Sequence, residues 1–217
     1  MFPSGVVLAY HGCDREIGER ILSGTTEIER STNDYDWLGS GAYFWESDAQ
    51  RALEWSRFLQ RRPSGSRGKI REPFVIGAII LPGLCLDLAE AGSLEILSAV
   101  HVHYARFIAA TGTPQPQNLP GGADDDDLVK RHLDCAVFNY LHEYRTGAGE
   151  PPLDTIRCPF FEGRPIFPGS KIAARTHLQW CVRDPRKSIL GYFRIKDGRH
   201  QACSPCWKYF TSPAARP

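Results

Sequence analysis

The chain lacks a surplus of charge of either sign: 26 Lys and Arg stand against 25 Asp and Glu, a formal net charge of +1. A protein that holds nucleic acid mainly through bulk electrostatics carries an excess of cations. That class is therefore disfavoured, although a local basic patch stays open. No apolar run approaches the roughly 20 residues of a membrane helix. The opening MFPSGVVLAYHG has no basic region, and its apolar run is too short for a signal peptide. Seven cysteines at 13, 85, 135, 158, 181, 203 and 206 are odd in number and scattered, unlike a secreted disulfide framework. Reduced thiols, a cytoplasmic location and no membrane partner are expected. No internal repeat is found. What is present is 42% hydrophobic residues in 217, enough to bury a full core. One domain over 1–217 is predicted, with two small domains as the alternative.

Gly5 to Tyr10 (GVVLAY) reads as a buried strand running into His11-Gly12. A helix follows, capped by Asp14, with Ile17, Ile21 and Leu22 on one face and Gly24 as its stop. After a polar loop from Thr25 to Asp36, Ala42 to Trp45 forms a short strand. Ser47 and Gln50 then make a capping box before a helix that turns Ala49, Ala52, Leu53, Ser56 and Leu59 inward. Arg57 to Arg71 is a basic connection. Pro73 to Leu81 (PFVIGAIIL), nearly continuous in hydrophobicity, is predicted to be a central strand ended by Pro82-Gly83.

A helix is predicted over Leu94 to Ala110, then a loop insertion at 111–123 rich in Pro, Gly and Gln. Asp124 to Asp127 should lead a helix running through Leu128, Val129, Leu133 and Val137 to Tyr144. Consecutive carboxylates splay apart, so that run reads as a solvated cap favouring the macrodipole rather than a metal site. Leu178 to Arg183 and Ser188 to Ile195 are further strands joined by a turn at Asp184 to Lys187, with an irregular tail from about 197. Strands and helices mix without regular βαβ alternation. The fold class is α+β with a largely antiparallel or split sheet.

The densest chemistry lies in Gly39-Ser40-Gly41-Ala42-Tyr43-Phe44-Trp45-Glu46. A dinucleotide loop needs a strand, then G-x-G-x-x-G, then a helix. Here the glycines precede a strand and the third is missing, so a doubly wound nucleotide fold is disfavoured. Aromatics on a strand alternate in direction, so one or two of Tyr43, Phe44 and Trp45 belong to the core.

Tyr10-His11-Gly12, Gly39 to Phe44 and the following helix over Ser47 to Ser56 together resemble the ADP-ribosyltransferase superfamily, in the branch of diphtheria toxin and the poly(ADP-ribose) polymerases. The likeness covers the first 60 residues or so and resumes from Asp154 to Phe193. It implies a split, mostly antiparallel sheet with flanking helices, NAD+ as co-substrate, and transfer of ADP-ribose to a macromolecular acceptor, protein or nucleic acid. It implies further that His11 binds the adenosine ribose, that Gly12 contacts nicotinamide through its backbone, and that Tyr43 stacks on the nicotinamide ring. Gly41, with Gly39, keeps the backbone slim there. Gln179 occupies the place of that family's catalytic glutamate. An amide can accept a hydrogen bond there but brings no charge and is no general base.

Two carboxylates can compensate, Glu162 in Phe160-Phe161-Glu162-Gly163 and Glu46 after the aromatic strand. Glu162 is preferred, against the plainer reading of a solvent-facing loop glutamate. His177 shares the face of Gln179, as part of the site or as a buried, satisfied histidine. Arg57, Arg61, Arg62, Arg67, Lys69 and Arg71 can hold phosphates or be a solvated loop; Arg157 and Arg175 are alternatives. His200, Cys203 and Cys206 have metal-ligand types at tight spacing, but no second pair stands at a zinc-finger distance. No metal is assigned. The reading is mono-ADP-ribosyl transfer, with NAD+ hydrolysis, a silent NAD+- or ADP-ribose-binding module and a zinc-based interaction protein as alternatives.

Overall fold

The computed structural model describes residues 5–61, 70–121 and 127–195. Strand β1 (Val7–Asp14) ends on Asp14, which caps α1 (Arg15–Leu22) by accepting the Glu16 N–H at 3.0 Å. Gly24, at φ +72°, closes α1 as expected. Ile17 does not pack inward: it is 43% exposed, and Gly18 takes the inner place because a Cβ there would lie 2.4 Å from the Phe74 ring.

Strand β2 (Ala42–Glu46) leads to α2 (Ala49–Arg61). The cap of α2 is Asp48, which accepts the Arg51 N–H at 2.8 Å, whereas Ser47 is turned to φ +54°. The sequence places the cap one residue early because both side chains qualify chemically. The helix also runs on through Arg57 to Arg61, so the basic connection begins later than expected. Arg62, Arg67 and Lys69 lie outside the described residues.

The remaining elements are β3 (Pro73–Ile80), β4 (Cys85–Asp87), α3 (Ala91–Thr111), β5 (Asn118–Leu119), β6 (Lys130–Arg131), α4 (His132–Gly147), β7 (Thr155–Phe160), β8 (His177–Val182), α5 (Pro185–Ser188) and β9 (Ile189–Arg194). Leu128 and Val129 precede α4 instead of belonging to it. The α4 start is set by Asn118, whose side-chain oxygen accepts the Leu133 N–H at 2.9 Å. Part of the expected 111–123 loop is therefore ordered as a β5–β6 ribbon. Asp127 caps no helix, and the other three aspartates of that run lie outside the described residues.

Seven strands form one sheet in the order β4-β7-β8-β2-β1-β3-β9, antiparallel everywhere except between β4 and β7. The fold is α+β. The apolar β3 is penultimate rather than central; its burial comes from β1, β9 and the helices on both faces. β8 and β9 are no hairpin, since α5 carries the chain from one half of the sheet to its far edge. Pairing between β1 and β2 covers only Ala9↔Glu46 and Tyr10↔Trp45, against eight positions between β1 and β3. Beyond Tyr10 the His11 side chain replaces the ladder: its Nδ1 donates to the Tyr43 carbonyl at 2.8 Å.

One face of the sheet buries Ala9, Phe44, Ile76, Ala78, Ile80, Trp180 and Val182 beneath α1. Burying a side chain such as Phe44, with 0% exposure, contributes about 1.5–3 kcal/mol. The other face packs α2 over Tyr10 and Trp45, and α4 over Leu38, Ile156, Phe160 and Cys181. Helix α3 rests on α4 through Tyr104, Ile108 and Val137. Among the described residues no helix is long and apolar enough to cross a membrane.

Candidate active site

The glycines before β2 are first a packing device. Gly39 sits at φ +75°, and a Cβ there would lie 2.8 Å from Asn139 Oδ1 of α4. A Cβ on Gly41 would lie 2.3 Å from Cys181 Sγ. Gly12 is tighter still, with Ala52 O of α2 only 2.0 Å from where its Cβ would stand. The fold requires glycine at all three positions, so any ligand contact by Gly12 or Gly41 comes in addition to packing.

Tyr43 is half-buried, and its hydroxyl is fully engaged: it donates to Gly39 O at 2.5 Å and accepts the Leu38 N–H at 2.8 Å. Burial pushes the phenol pKa well up. The group is therefore fixed and un-ionised, suited to presenting a ring rather than to moving a proton. The His11 ring lies 5.6 Å from Phe44 at the place where β1 and β2 part.

Tyr43, Trp45, Gln179 and Cys181 share one face of β2 and β8, because Trp45 pairs with Gln179 and Tyr43 with Cys181. Two residues along β8, His177 is opposite Phe160 of β7. Glu162 follows Phe160 and is buried, at 2% exposure, so it is not a solvent-facing loop carboxylate. Its Oε2 accepts from Arg51 Nη2 at 2.5 Å and lies 3.6 Å from His177 Nδ1. Burial pushes the Glu162 carboxyl up in pKa while Arg51 pulls it back. His177 Nδ1 donates to the Arg175 carbonyl at 2.8 Å, which leaves Nε2 as an acceptor. Burial lowers the His177 pKa to about 4, so the ring is neutral.

Four buried polar atoms in this region have no hydrogen-bond partner among the described residues: Trp45 Nε1, Arg51 Nε, His177 Nε2 and Gln179 Oε1. Two are donors and two are acceptors. Each such atom costs about 1–3 kcal/mol in the folded state. Only one other side-chain atom among the described residues shares this condition, His142 Nε2 on α4. Buried unpaired groups gathered in one place match the composition of a polar ligand with both donors and acceptors. Trp37 and Phe160, whose rings are 4.6 Å apart, form an aromatic wall beside His177. Asp127 anchors the Glu162 loop by accepting from the Gly163 N–H at 2.9 Å and from Arg175 Nη2 at 2.5 Å.

The structure thus brings Gln179, Glu162 and Tyr43 to one face, whereas the expected ligand His11, at the parting of β1 and β2, turns its ring to the other face beside Phe44 because side chains alternate along β1. Glu46 also lies on that other face, held at 2.7 Å by both Arg157 Nε and Trp180 Nε1. Arg157 also pairs with Asp87 at 3.0 Å. Arg157 and Arg175 are therefore committed to carboxylates of the chain and are not free phosphate contacts. Sequence reasoning missed Arg51 and the Trp45 indole. The available signal was a cation in the first turn of α2, where the macrodipole disfavours positive charge unless a partner is near. Among the described residues no cluster of His, Cys, Asp or Glu can hold a metal, while His200, Cys203 and Cys206 lie outside them. Compared with protein-family models, curated proteins and solved structures, the chain matches none.

Proposed function

We propose that the protein is a mono-ADP-ribosyltransferase that cleaves NAD+ and transfers ADP-ribose to a macromolecular acceptor, protein or nucleic acid, on a mostly antiparallel sheet of the ADP-ribosyltransferase kind that is continuous rather than split. The observation that carries this reading is the gathering of unpaired donors and acceptors from Trp45, Arg51, His177 and Gln179 beside Tyr43 and Glu162.

Nicotinamide is already a good leaving group, so the protein's work is to hold NAD+ bent and to stabilise an oxocarbenium-like ribose. The Tyr43 ring, fixed by its two hydroxyl bonds, supplies a face for the cationic nicotinamide. Gln179 Oε1 accepts from a ribose hydroxyl and orients the sugar. Glu162 supplies the nearby carboxylate that Gln179 lacks, and Arg51 favours its ionised form against burial. Trp45 Nε1 and Arg51 Nε are donors for phosphate or carboxamide oxygens. His11 holds the Tyr43 backbone carbonyl from the β1 side and so fixes the strand that carries the ring.

A silent NAD+- or ADP-ribose-binding module is the second reading, favoured because Gln179 is uncharged and Arg51 offsets the charge of Glu162. Labelled NAD+ with whole-cell lysate, split by protease and nuclease treatment, separates the two. Transfer predicts a labelled macromolecule sensitive to one treatment. It also predicts at least a tenfold lower turnover for Gln179→Ala with NAD+ affinity little changed. Nicotinamide release without a labelled acceptor makes the protein a glycohydrolase. Binding with no turnover in any fraction makes it a silent module, and no binding at all removes NAD+ from the account.

A further inference from the structure

Helix α3 spans 21 residues and contains only two Asp, Glu, Lys or Arg side chains, Glu95 and Arg106. Its inner stripe, Leu97, Val100, Tyr104 and Ile108, packs on α4 and the sheet. The opposite stripe consists of Glu95, Ala99, Val102 and Arg106, one helical turn apart and all exposed. Ile96 and Phe107, 53% and 52% exposed, flank it. Neither charged residue forms an ion pair with another described residue. Val102, Ile96 and Phe107 exposed along one helix are the kind of apolar surface that association covers.

We propose that α3 is covered by α3 of a second copy of this chain, packed antiparallel about a two-fold axis between Ala99 and Val102. In that register Glu95 of each copy meets Arg106 of the other, and Ala99 of each meets Val102 of the other. The four contacts close on themselves, as an isologous interface requires. Parallel packing would set Glu95 on Glu95 and Arg106 on Arg106, so the charge pattern selects the antiparallel arrangement. Ala99 at the centre lets the two helices approach closely. One helix pair about 30 Å long makes a small interface, of the weak or transient class.

Sedimentation velocity on the full chain tests the proposal at concentrations from about 1 to 200 μM, a range set by that affinity class. A monomer–dimer equilibrium is expected for the wild type. Glu95→Arg and Arg106→Glu should each weaken it at least tenfold, and the double variant should return it to within about threefold of wild type. Both positions are exposed, so the single variants keep the fold, as circular dichroism checks. A wild type that stays monomeric throughout overturns the proposal and leaves the face to residues 196–217 or to a different protein. A dimer indifferent to the single reversals, or one not restored by the double variant, overturns it equally.

Discussion

Arg51→Ala tests whether Glu162 is buried and dependent on its partner. The two side chains are 12% and 3% exposed and meet at 2.5 Å. Removing one partner of a buried pair costs about 3–5 kcal/mol, since the survivor keeps its desolvation penalty. No other cation can replace Arg51: His177 is neutral, and Arg175 is held by Asp127. The substitution also removes the unpaired Arg51 Nε, which returns about 1 kcal/mol. The net loss is then about 2–4 kcal/mol, or a melting temperature about 4–16 °C lower for a chain of this size. The pH dependence adds a second signature. Burial has raised the folded pKa of Glu162 above its unfolded value, so the folded state binds more protons between the two. Its contribution to stability is therefore present at low pH and lost as pH rises through the folded pKa. Without Arg51 that rise is larger, and the deficit should be greater at pH 8 than at pH 5. Urea unfolding followed by tryptophan fluorescence reads both quantities. Arg51→Met combined with Glu162→Gln should recover all but about 1 kcal/mol. A loss below about 1 kcal/mol, or an equal loss at both pH values, would refute the burial argument.

Tyr43→Phe deprives Leu38 N and Gly39 O of their partner and should cost about 1–3 kcal/mol, yet calorimetry should find NAD+ affinity within threefold of wild type because the ring remains. Tyr43→Ala should lose both, and equal binding by all three proteins would remove the stacking role. Gly12→Ala places a Cβ 2.0 Å from Ala52 O and should cost about 3 kcal/mol, whereas Gly92→Ala in α3 meets nothing within 4 Å and should be neutral or stabilising. His177 and His142 have folded pKa values lowered to about 4 and about 3 from an ordinary 6.5. The unfolded chain binds more protons in that window, so stability should fall as pH drops below about 6.5, and His142→Gln should flatten the slope; a flat wild-type profile from pH 7 to 5 would contradict the burial of both rings.

The features legible in the sequence are local ones. Asp14 and Gly24 bracket α1 because a cap and a left-handed stop depend on residues a few positions away. β1, β2 and β3 stand out by their apolar runs. β7 does not, since Arg157 and Pro159 break its pattern and the reason for Arg157 lies 111 residues earlier, in Glu46. The same separation divides Arg51 from Glu162, so the phenylalanines and glycine around Glu162 point it toward the cleft in the sequence, but its buried partner Arg51 is not legible there. Gln179 and His177 were placed together correctly because a strand's period of two is a local rule. The turn after β8 was legible as a turn, but its destination was set by which strand edges remained unpaired.

Gln179 is where stability and ligand binding should pull in opposite directions. Its side chain is 6% exposed and its Oε1 has no hydrogen-bond partner among the described residues. Methionine has nearly the same length and volume and no polar atom that needs a partner. If the amide oxygen is retained only to meet a ligand, Gln179→Met relieves its desolvation penalty and should stabilise the free protein by about 1–2 kcal/mol. NAD+ turnover should fall at least tenfold in the same variant, because the group that orients the ribose is gone. Stabilisation together with loss of function is the expected mark of a residue kept against the preference of the fold. Urea midpoints for the two proteins, with m-values compared to establish that the unfolded states match, supply the stability half of the test. Destabilisation by methionine would mean that the amide is held favourably in the free protein, and Gln179 would then be a structural residue of β8.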